Sequence, residues 1–316
     1  MRRLLLALLL AAPAPLAGQG LPPYTPINPV ATSRSGLAFE PYHDRGPGPW
    51  AFTLGLDYAT AIESNELPTA TYLLDSELLR LELRARRELG PRTFLLAEAD
   101  LRGSYGGFLD GFLDWYHGLL GLEMPERERR PRDEFLYAVT PPSGPALRNE
   151  PSSLFLGDIR LGAGRRWSPH FQTVAALTLP TATGPEGYGR GVASVSLLNT
   201  VRTPLAGGLV YEGSLSGGYA ARHGALSVLQ REWMLAASSG LRLRVWGGHS
   251  VYGNLFYHSP YYEGTTFPGL DRRELSFDFG WILSQADGRE WRVGMTEDLE
   301  PGGPAIDLVL RLAATF

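Results

Sequence analysis

Apolar and polar residues alternate along much of the chain, and the alternation is clearest at its C-terminal end. From Ile306 to Phe316 the even-numbered positions are apolar, whereas Asp307, Arg311 and Thr315 occupy odd-numbered positions. Side chains two residues apart lie on the same face of a β-strand, so this pattern predicts a strand with one apolar and one polar face. The strand ends on an aromatic member of the apolar face.

The same alternation predicts twelve strands, and their connections differ in length between the two sides. Strands with clear alternation begin near residues 50, 79, 95, 153, 275 and 306, and weaker ones fit near 171–181, 190–203, 206–220, 225–236, 240–257 and 289–299. Short connections are predicted at 88–92, 167–170, 203–206, 237–240 and 284–289, and mostly longer ones at 61–76, 104–152, 182–190 and 258–269. An even strand number with short turns on one side and long loops on the other is typical of a bacterial outer-membrane barrel.

We therefore predict an all-β fold, a transmembrane antiparallel β-barrel of about twelve strands over residues 49–316. Ten or fourteen strands are alternatives, because the pairing register is weakly specified where the alternation is weak. A soluble β-sandwich shares the composition, which includes 11% aromatic residues and 38 glycines. A sandwich does not require the asymmetry of loop lengths or the aromatic residues near the short-turn ends, which are Trp50, Trp167, Trp281, Trp291 and Phe316.

The first 48 residues lack this alternation and are predicted to have two parts. Met1-Arg2-Arg3 precedes a leucine-rich run and then small residues, which is the arrangement of a cleaved secretory signal peptide, here residues 1–18. The apolar run is shorter than the roughly 20 residues that a spanning helix needs. Residues 19–48 are rich in proline and predict an irregular N-terminal periplasmic segment, or a segment tucked into the barrel mouth. A signal peptide before a barrel predicts location in the bacterial outer membrane.

The longest predicted loop, residues 104–152, contains an amphipathic helix. Apolar residues recur every three or four positions from Phe108 to Leu120, with Asp110 and Asp114 between them. We predict that this helical insertion gates or caps the extracellular mouth. Its candidate binding residues are Phe108, Leu109, Phe112, Trp115 and His117. The charged run 126–134 is predicted to be a solvated loop, with contact to lipopolysaccharide phosphate as the alternative.

Charged residues on the polar faces of four strands are the candidate lumen-lining residues. They are Arg80, Glu82, Arg84, Arg86, Glu98, Asp100, Arg102, Asp158, Arg160, Asp307 and Arg311. Because both signs occur on each strand, we expect an ion-paired interior that selects neither anions nor cations strongly. The alternative is that these pairs only fill a narrow barrel, since twelve strands lie between packed and open sizes.

Three motifs resemble those of an uncharacterised domain-of-unknown-function family of bacterial outer-membrane β-barrel proteins. They are Gly106–Phe112 with Trp115-Tyr116-His117 and Gly121-Leu122, Gly157–Leu161, and Leu177–Gly184. The resemblance covers most of the chain after the signal peptide. The family is similar to the broader group of barrels that includes transporters of aromatic and other hydrophobic compounds. The resemblance implies fold and location but no catalytic residues, because the family has no assigned activity.

The residues themselves give no catalytic or metal-binding motif. None of the six histidines stands in a metal-ligand spacing, and the sequence has no cysteine. No histidine is followed two positions later by serine, so the His-x-Ser pair that outer-membrane phospholipases share is missing. We therefore predict no metal, no cofactor and no enzymatic activity.

The predicted function is a channel or transporter for a small molecule, of which a hydrophobic compound is one case. The alternatives are a non-conducting structural or adhesion barrel and, ranked last, an outer-leaflet lipid hydrolase. Expected partners are outer-membrane lipid and lipopolysaccharide, an unidentified small solute, and the barrel-assembly machinery, because the terminal Phe316 resembles the assembly signal of such barrels. The formal net charge of −4 gives no reason to expect nucleic acid as a partner.

Overall fold

The chain is described by a computed structural model over residues 20–46, 48–121, 131–300 and 303–316. The signal peptide predicted for residues 1–18, and residues 126–130 of the predicted charged run, lie outside the described residues. In the part of the chain that is described, no helix is long and apolar enough to cross a membrane.

The described residues are mostly β-strand, with three short α-helices and two 3-10 turns. The strands are β1 (Trp50–Leu67), β2 (Ala70–Glu88), β3 (Thr93–Tyr105), β4 (Leu136–Thr140), β5 (Leu147–Asn149), β6 (Ser152–Leu156), β7 (Ile159–Ser168), β8 (Phe171–Leu179), β9 (Ser194–Pro204), β10 (Leu209–Ala220), β11 (Trp233–Trp246), β12 (His249–His258), β13 (Glu274–Ser284), β14 (Glu290–Asp298) and β15 (Leu308–Thr315). The helices are α1 (Pro29–Thr32), α2 (Asp110–Leu120) and α3 (Pro268–Asp271).

These strands form a closed antiparallel barrel of 12 strands, as the alternation predicts. The first and last strands close it, because β1 pairs with β15 from Thr53↔Thr315 to Thr60↔Leu308. β6 and β7 pair with successive parts of β3 and share one place in the barrel. β4 and β5 continue the sheet beside the extracellular end of β2. The short turns and both ends of the barrel domain lie at one end, which is the periplasmic end of such barrels.

The two faces of each strand meet different surroundings. On β1, Leu54 and Leu56 are 54% and 38% exposed. The side chain of Asp57, on the opposite face of the strand, is buried inside the barrel. Leu310 and Leu312 continue this outward apolar belt on β15. A belt of this kind faces the hydrocarbon of a bilayer, because only alternate side chains of a spanning strand contact lipid.

Two of the predicted connections are wrong. The long connection predicted at 61–76 is instead a hairpin, since β1 and β2 pair without interruption as far as Leu67↔Ala70. Its upper part carries polar residues on both faces, so the alternation that marks the membrane-spanning part is lost there. The turn predicted at 237–240 is also wrong, because β11 runs through it and turns at Gly247-Gly248. Small residues in the middle of β11 imitate a turn, although each pairs with β10 and β12.

Residues 20–45, which we call the lumen segment, lie inside the barrel. Nearly all of them are buried, and Ala31 and Phe39 are 0% exposed. For these residues the irregular N-terminal periplasmic segment predicted over 19–48 is therefore corrected. The alternative, a segment tucked into the barrel mouth, is closer, but the segment extends through the lumen. The physical reason is that the polar inner wall offers hydrogen-bond partners to an irregular backbone, which needs them once it leaves water.

Helix α2 begins two residues later than predicted and lies against the outer wall of the barrel, not over its mouth. The Tyr116 hydroxyl donates to Glu297 Oε1 at 3.2 Å. Glu297 belongs to the outward set of β14 that includes the exposed Val293. Leu113, on the opposite side of the helix from the exposed Trp115, is fully buried. For α2 the prediction that the insertion gates or caps the mouth is therefore wrong, because the buried stripe of the helix packs on the barrel exterior.

Candidate functional site: the occupied lumen

The lumen segment crosses the barrel twice. It enters at the periplasmic end, where the Gly20 carbonyl accepts a hydrogen bond from Arg242 at 2.7 Å. It turns at the extracellular end through α1. It then returns to the periplasmic end, where the Tyr42 hydroxyl donates to the Ser168 carbonyl at 2.8 Å. The lumen is thus occupied along its length by a folded-back stretch of the same chain.

The two passes pair with each other near the middle of the barrel. The backbone groups of Tyr24 and Phe39 bond reciprocally, at 3.1 and 2.8 Å. The Tyr24 hydroxyl donates to one oxygen of Glu274 at 3.1 Å, and Tyr261 donates to the other at 2.5 Å. Both carboxylate oxygens are therefore engaged, which is what a buried carboxylate requires.

Arg34 fixes the extracellular turn of the segment to the barrel rim. Its side chain is fully buried and donates to three backbone carbonyls, those of Ala220 at 3.0 Å, Ala221 at 3.1 Å and Arg231 at 2.8 Å. All three carbonyls belong to the end of β10 or to the loop before β11. Hydrogen bonds from a charged donor contribute about 1.5–3 kcal/mol each, so this residue is a strong anchor.

Arg80 joins the segment to the wall in the middle of the lumen. Its guanidinium donates to the backbone carbonyls of Thr25 and Pro26, each at 3.0 Å. Its Nε also donates to Asp57 on the neighbouring strand at 2.9 Å. Arg80 therefore bonds to main-chain atoms of the segment, which are the same whatever side chains stand at those positions.

Glu40 is the main ionic contact of the returning pass. Its carboxylate accepts from Arg84 at 3.2 Å, from Arg160 on β7, and from the imidazole of His43 at 3.1 Å. Burial alone would raise the pKa of the Glu40 carboxyl, but the guanidiniums of Arg160 and Arg84 outweigh it and hold the pKa below its ordinary value. Glu40 is therefore a carboxylate at neutral pH.

The periplasmic half of the lumen also contains a cavity of about 630 Å³, which we call the vestibule. One side is apolar, with Leu96, Val174 and Ala176 next to the buried Phe94 and Leu198. The other side carries charged residues that include Arg84, Arg86 and Glu290. Deeper in the lumen, two voids beside the segment measure about 40 and 30 Å³, which is close to the space of one water molecule.

Ten of the predicted lumen-lining residues lie on the inner side of the barrel. They are Arg80, Glu82, Arg84, Arg86, Glu98, Asp100, Arg102, Asp158, Arg160 and Arg311. They do not line an open passage, because most of them contact each other or the lumen segment. The remaining one, Asp307, lies before β15 at the extracellular edge, where it accepts the backbone N–H of Ile62 at 3.0 Å.

The predicted loop-helix residues are not gathered into one pocket. Leu109 is buried toward the barrel wall, whereas Phe112 and Trp115 are exposed. Phe108 is also exposed, although its ring lies 5.4 Å from that of Tyr58 on β1. His117 lies within α2. The apolar side chains therefore divide between the outer wall and the surroundings of the barrel.

Several residues of the lumen escaped the sequence analysis. Glu40 gives no pattern of its own because it lies in an irregular segment. The wall residues could have been predicted, because they occupy alternate positions on strands whose other face is apolar. They are Asp57, Arg166, Arg202, Glu212, Arg242, Asp278 and Arg292.

The structure also brings together a serine and a histidine that are distant in sequence. Ser35 Oγ lies 2.7 Å from His258 Nε2, and the other ring nitrogen contacts the Ser259 carbonyl. Both side chains are buried, and the void that Ser35 lines measures about 30 Å³. A nucleophile needs room for a substrate beside it, so the pair is better understood as a contact between segment and wall.

The fold and the lumen define an outer-membrane β-barrel with its N-terminal segment inside. Residues 48–181 match the model of a family described as Protein of unknown function (DUF3187). The predicted resemblance to an uncharacterised family of outer-membrane barrels is confirmed. Among curated proteins no sequence matches at a significant level.

Solved structures share the fold at low sequence identity. The COG4313 outer membrane channel from Pseudomonas putida F1 is 15% identical, with a TM-score of 0.56 over 86% of this chain and 96% of that one. The Pseudomonas putida toluene transporter TodX is 10% identical, with a TM-score of 0.42 over 95% and 98%. The translocator domain of the autotransporter NalP from Neisseria meningitidis is 11% identical, with a TM-score of 0.43 over 86% and 90%. At 15% identity the likeness to the COG4313 channel shows the fold alone.

Proposed function

We propose that the protein is an outer-membrane channel for a small, partly apolar molecule and that the lumen segment closes it. The observation that carries this proposal is the nature of the occupant. The lumen is filled by a separate stretch of chain, held by hydrogen bonds and ion pairs, rather than by the wall's own side chains. Polar contacts of this kind exchange with water when the segment moves, so the same wall that holds the segment lines a passage without it.

The vestibule supports the choice of solute. Its apolar side, formed by Leu96, Val174 and Ala176, suits the body of a hydrophobic molecule. The guanidiniums of Arg84 and Arg86 on the charged side suit a polar or anionic substituent. A few polar groups in a mainly apolar cavity are the usual composition of a small-molecule site.

The second candidate function is a non-conducting structural barrel. The observation that favours it is the completeness of the filling, since the voids deep in the lumen are no larger than about 40 Å³. The two functions differ in whether the lumen segment ever leaves the wall. We also infer that the barrel is not an enzyme, because the Ser35–His258 pair is enclosed.

Single-channel conductance in a planar bilayer tests the proposal. The full-length barrel is compared with a variant lacking residues 20–45 and with a control variant lacking residues 110–134. Deleting the lumen segment is expected to give steady conductance. Deleting 110–134 is expected to leave the closed state unchanged, because α2 lies on the outer wall. A silent bilayer for the first deletion, with the barrel shown to be folded by its heat-modifiable mobility, contradicts the channel and favours the structural barrel.

The assembly and export partners are also part of the proposal. The Phe316 backbone pairs with Phe52, with N···O distances of 2.9 and 3.1 Å, and its ring is about half exposed beside Trp291. An exposed terminal aromatic on a barrel strand suits recognition by the barrel-assembly machinery. Export through the inner membrane is assigned to the signal peptide predicted for residues 1–18.

A further inference from the structure

A groove of about 850 Å³ lies on the outer wall of the barrel, near its extracellular end. Its walls are the outward residues of β9 and β11, among them Val195, Leu197 and Leu235. Its floor is β10 at Gly217. Trp233, which is 74% exposed and packs on Tyr219, stands at the extracellular end of the groove.

The groove exists because β10 has no side chain at Gly217. A Cβ built there would meet only Leu235 Cδ2 at 3.6 Å and the Met234 carbonyl at 3.9 Å, which are ordinary contacts. The wall therefore tolerates a side chain at this position, and the space is not imposed by close packing. Gly218 differs, because its Cβ would lie 3.0 Å from the Val195 carbonyl and 3.2 Å from Leu37 of the lumen segment.

Two guanidiniums stand at the rim of the groove. Arg231 lines it, and its guanidinium lies 3.3 Å from Glu263. Arg222 approaches the same carboxylate at 3.8 Å, so two half-exposed guanidiniums share Glu263. The nearby Glu232 is engaged by the Tyr219 hydroxyl at 3.3 Å. Guanidiniums that share one carboxylate keep donors free for a phosphate.

The position of Arg231 is fixed from two sides. Its backbone N–H donates to the Tyr261 carbonyl at 3.0 Å, and its carbonyl accepts from Arg34 of the lumen segment at 2.8 Å. Its Nε also donates to the Tyr262 carbonyl at 3.3 Å. A rim that is already ordered loses little conformational freedom when a ligand binds.

We propose that this groove binds one molecule of lipid A, with an acyl chain over Gly217 and a phosphate at Arg231 and Arg222. The groove continues the lipid-facing belt of the barrel, so its occupant must come from the membrane. It lies in the extracellular half, where the outer leaflet is made of this phosphorylated glycolipid. Two guanidiniums that converge on one phosphate, beside an apolar groove, suit the more highly charged phosphate monoester of lipid A better than the phosphodiester of a glycerophospholipid.

Native mass spectrometry of the detergent-purified full-length barrel, titrated with lipid A or with phosphatidylglycerol, tests the proposal. One retained lipid A is expected, with affinity at least about tenfold above that of phosphatidylglycerol. Arg231→Gln keeps both backbone bonds of that residue and is expected to weaken lipid A binding about tenfold. Gly217→Leu fills the groove and is expected to reduce binding by a similar factor.

Two matched variants control for charge and bulk. Arg273→Gln removes an exposed extracellular arginine that pairs with Glu300, and Ala163→Leu adds similar bulk at an exposed, outward position of β7. Neither is expected to change lipid A binding. The proposal is overturned if Arg231→Gln and Gly217→Leu behave like these controls, or if phosphatidylglycerol binds as tightly as lipid A, because the lipids are then only part of a nonspecific shell.

Discussion

The two halves of the lumen hold the same segment in different ways. In the extracellular half, the fully buried Arg34 donates to three backbone carbonyls, and Tyr24 donates to the buried carboxylate of Glu274. In the periplasmic half, Glu40 and Asp44 form ion pairs with wall arginines beside a cavity of about 630 Å³. Main-chain hydrogen bonds occur in both halves, but in the second half carboxylates of the segment add ion pairs beside open space.

This difference indicates where the segment begins to leave the wall. Separating the fully buried Arg34 from the wall breaks three hydrogen bonds from a charged donor, which contribute about 1.5–3 kcal/mol each. When an ion pair beside a cavity separates, water can solvate both charged groups. The wall arginines also remain paired with other carboxylates, Arg84 with Glu82 and Arg160 with Glu98. We therefore expect the periplasmic half to loosen first and the extracellular turn to set the barrier to full opening.

The largest expected effect comes from the extracellular anchor. Arg34→Met removes all the carbonyl contacts of that side chain and is expected to destabilise docking of the segment by several kcal/mol, because each hydrogen bond from a charged donor contributes about 1.5–3 kcal/mol. Hydrogen exchange of residues 29–37, followed by mass spectrometry, measures the loss of protection. The control is Arg222→Met, which removes a half-exposed arginine at the same end of the barrel. Equal protection in the two variants contradicts the role given to Arg34.

A smaller effect is expected from the ionic contact of the periplasmic half. Glu40→Gln is expected to destabilise docking of the segment by about 1–3 kcal/mol. The effect is limited because Arg84 remains paired with Glu82 and Arg160 with Glu98. Exchange of residues 38–45 should rise, while that of residues 29–37 stays as in the unmodified barrel. The matched control Asp287→Asn breaks an exposed ion pair with Arg289 and should change neither. Faster hydrogen exchange in both residues 29–37 and residues 38–45 would show that the two halves of the segment undock together.

The smallest effect is expected from acidification. The folded-state pKa of Glu40 lies below its ordinary value of 4.5, so this carboxylate stabilises docking above that pH and loses its contribution as the pH falls through the lowered value. Exchange of residues 38–45, corrected for the intrinsic rate, should therefore stay constant from pH 7 to 4.5 and rise only in stronger acid. A rise beginning above pH 5 would mean that Glu40 is not held ionised by Arg160 and Arg84.

The barrel was predictable from the sequence because its physical cause is local. Lipid on one side of a strand and polar contacts on the other impose a period of two, which Leu54, Leu56 and Leu310 display directly. The prediction failed where that cause stops acting. The upper part of the β1–β2 hairpin has no alternation to find, and the small residues of β11 imitate a turn.

The candidate site was less predictable because its main component has no periodicity. The inward residues of the wall follow from alternation, and ten of those predicted lie on the inner side. The residues that these wall side chains contact do not follow from alternation. Arg80, for example, bonds to the backbone carbonyls of Thr25 and Pro26, which any residue could supply. The same applies to α2, whose amphipathic pattern predicts a helix with a buried face without indicating which surface buries it.

The most direct test of the account tethers the lumen segment to the wall. A Cβ at Gly36 would lie 4.0 Å from the Cβ of Ser194 on β9, which is within the range of a disulfide, and the chain has no cysteine of its own. Single-channel conductance is recorded for the Gly36→Cys, Ser194→Cys double variant before and after reduction. The account predicts a silent barrel when the tether is closed and openings after reduction. Openings of equal size and frequency in both states, with the crosslink verified by mass, would contradict it.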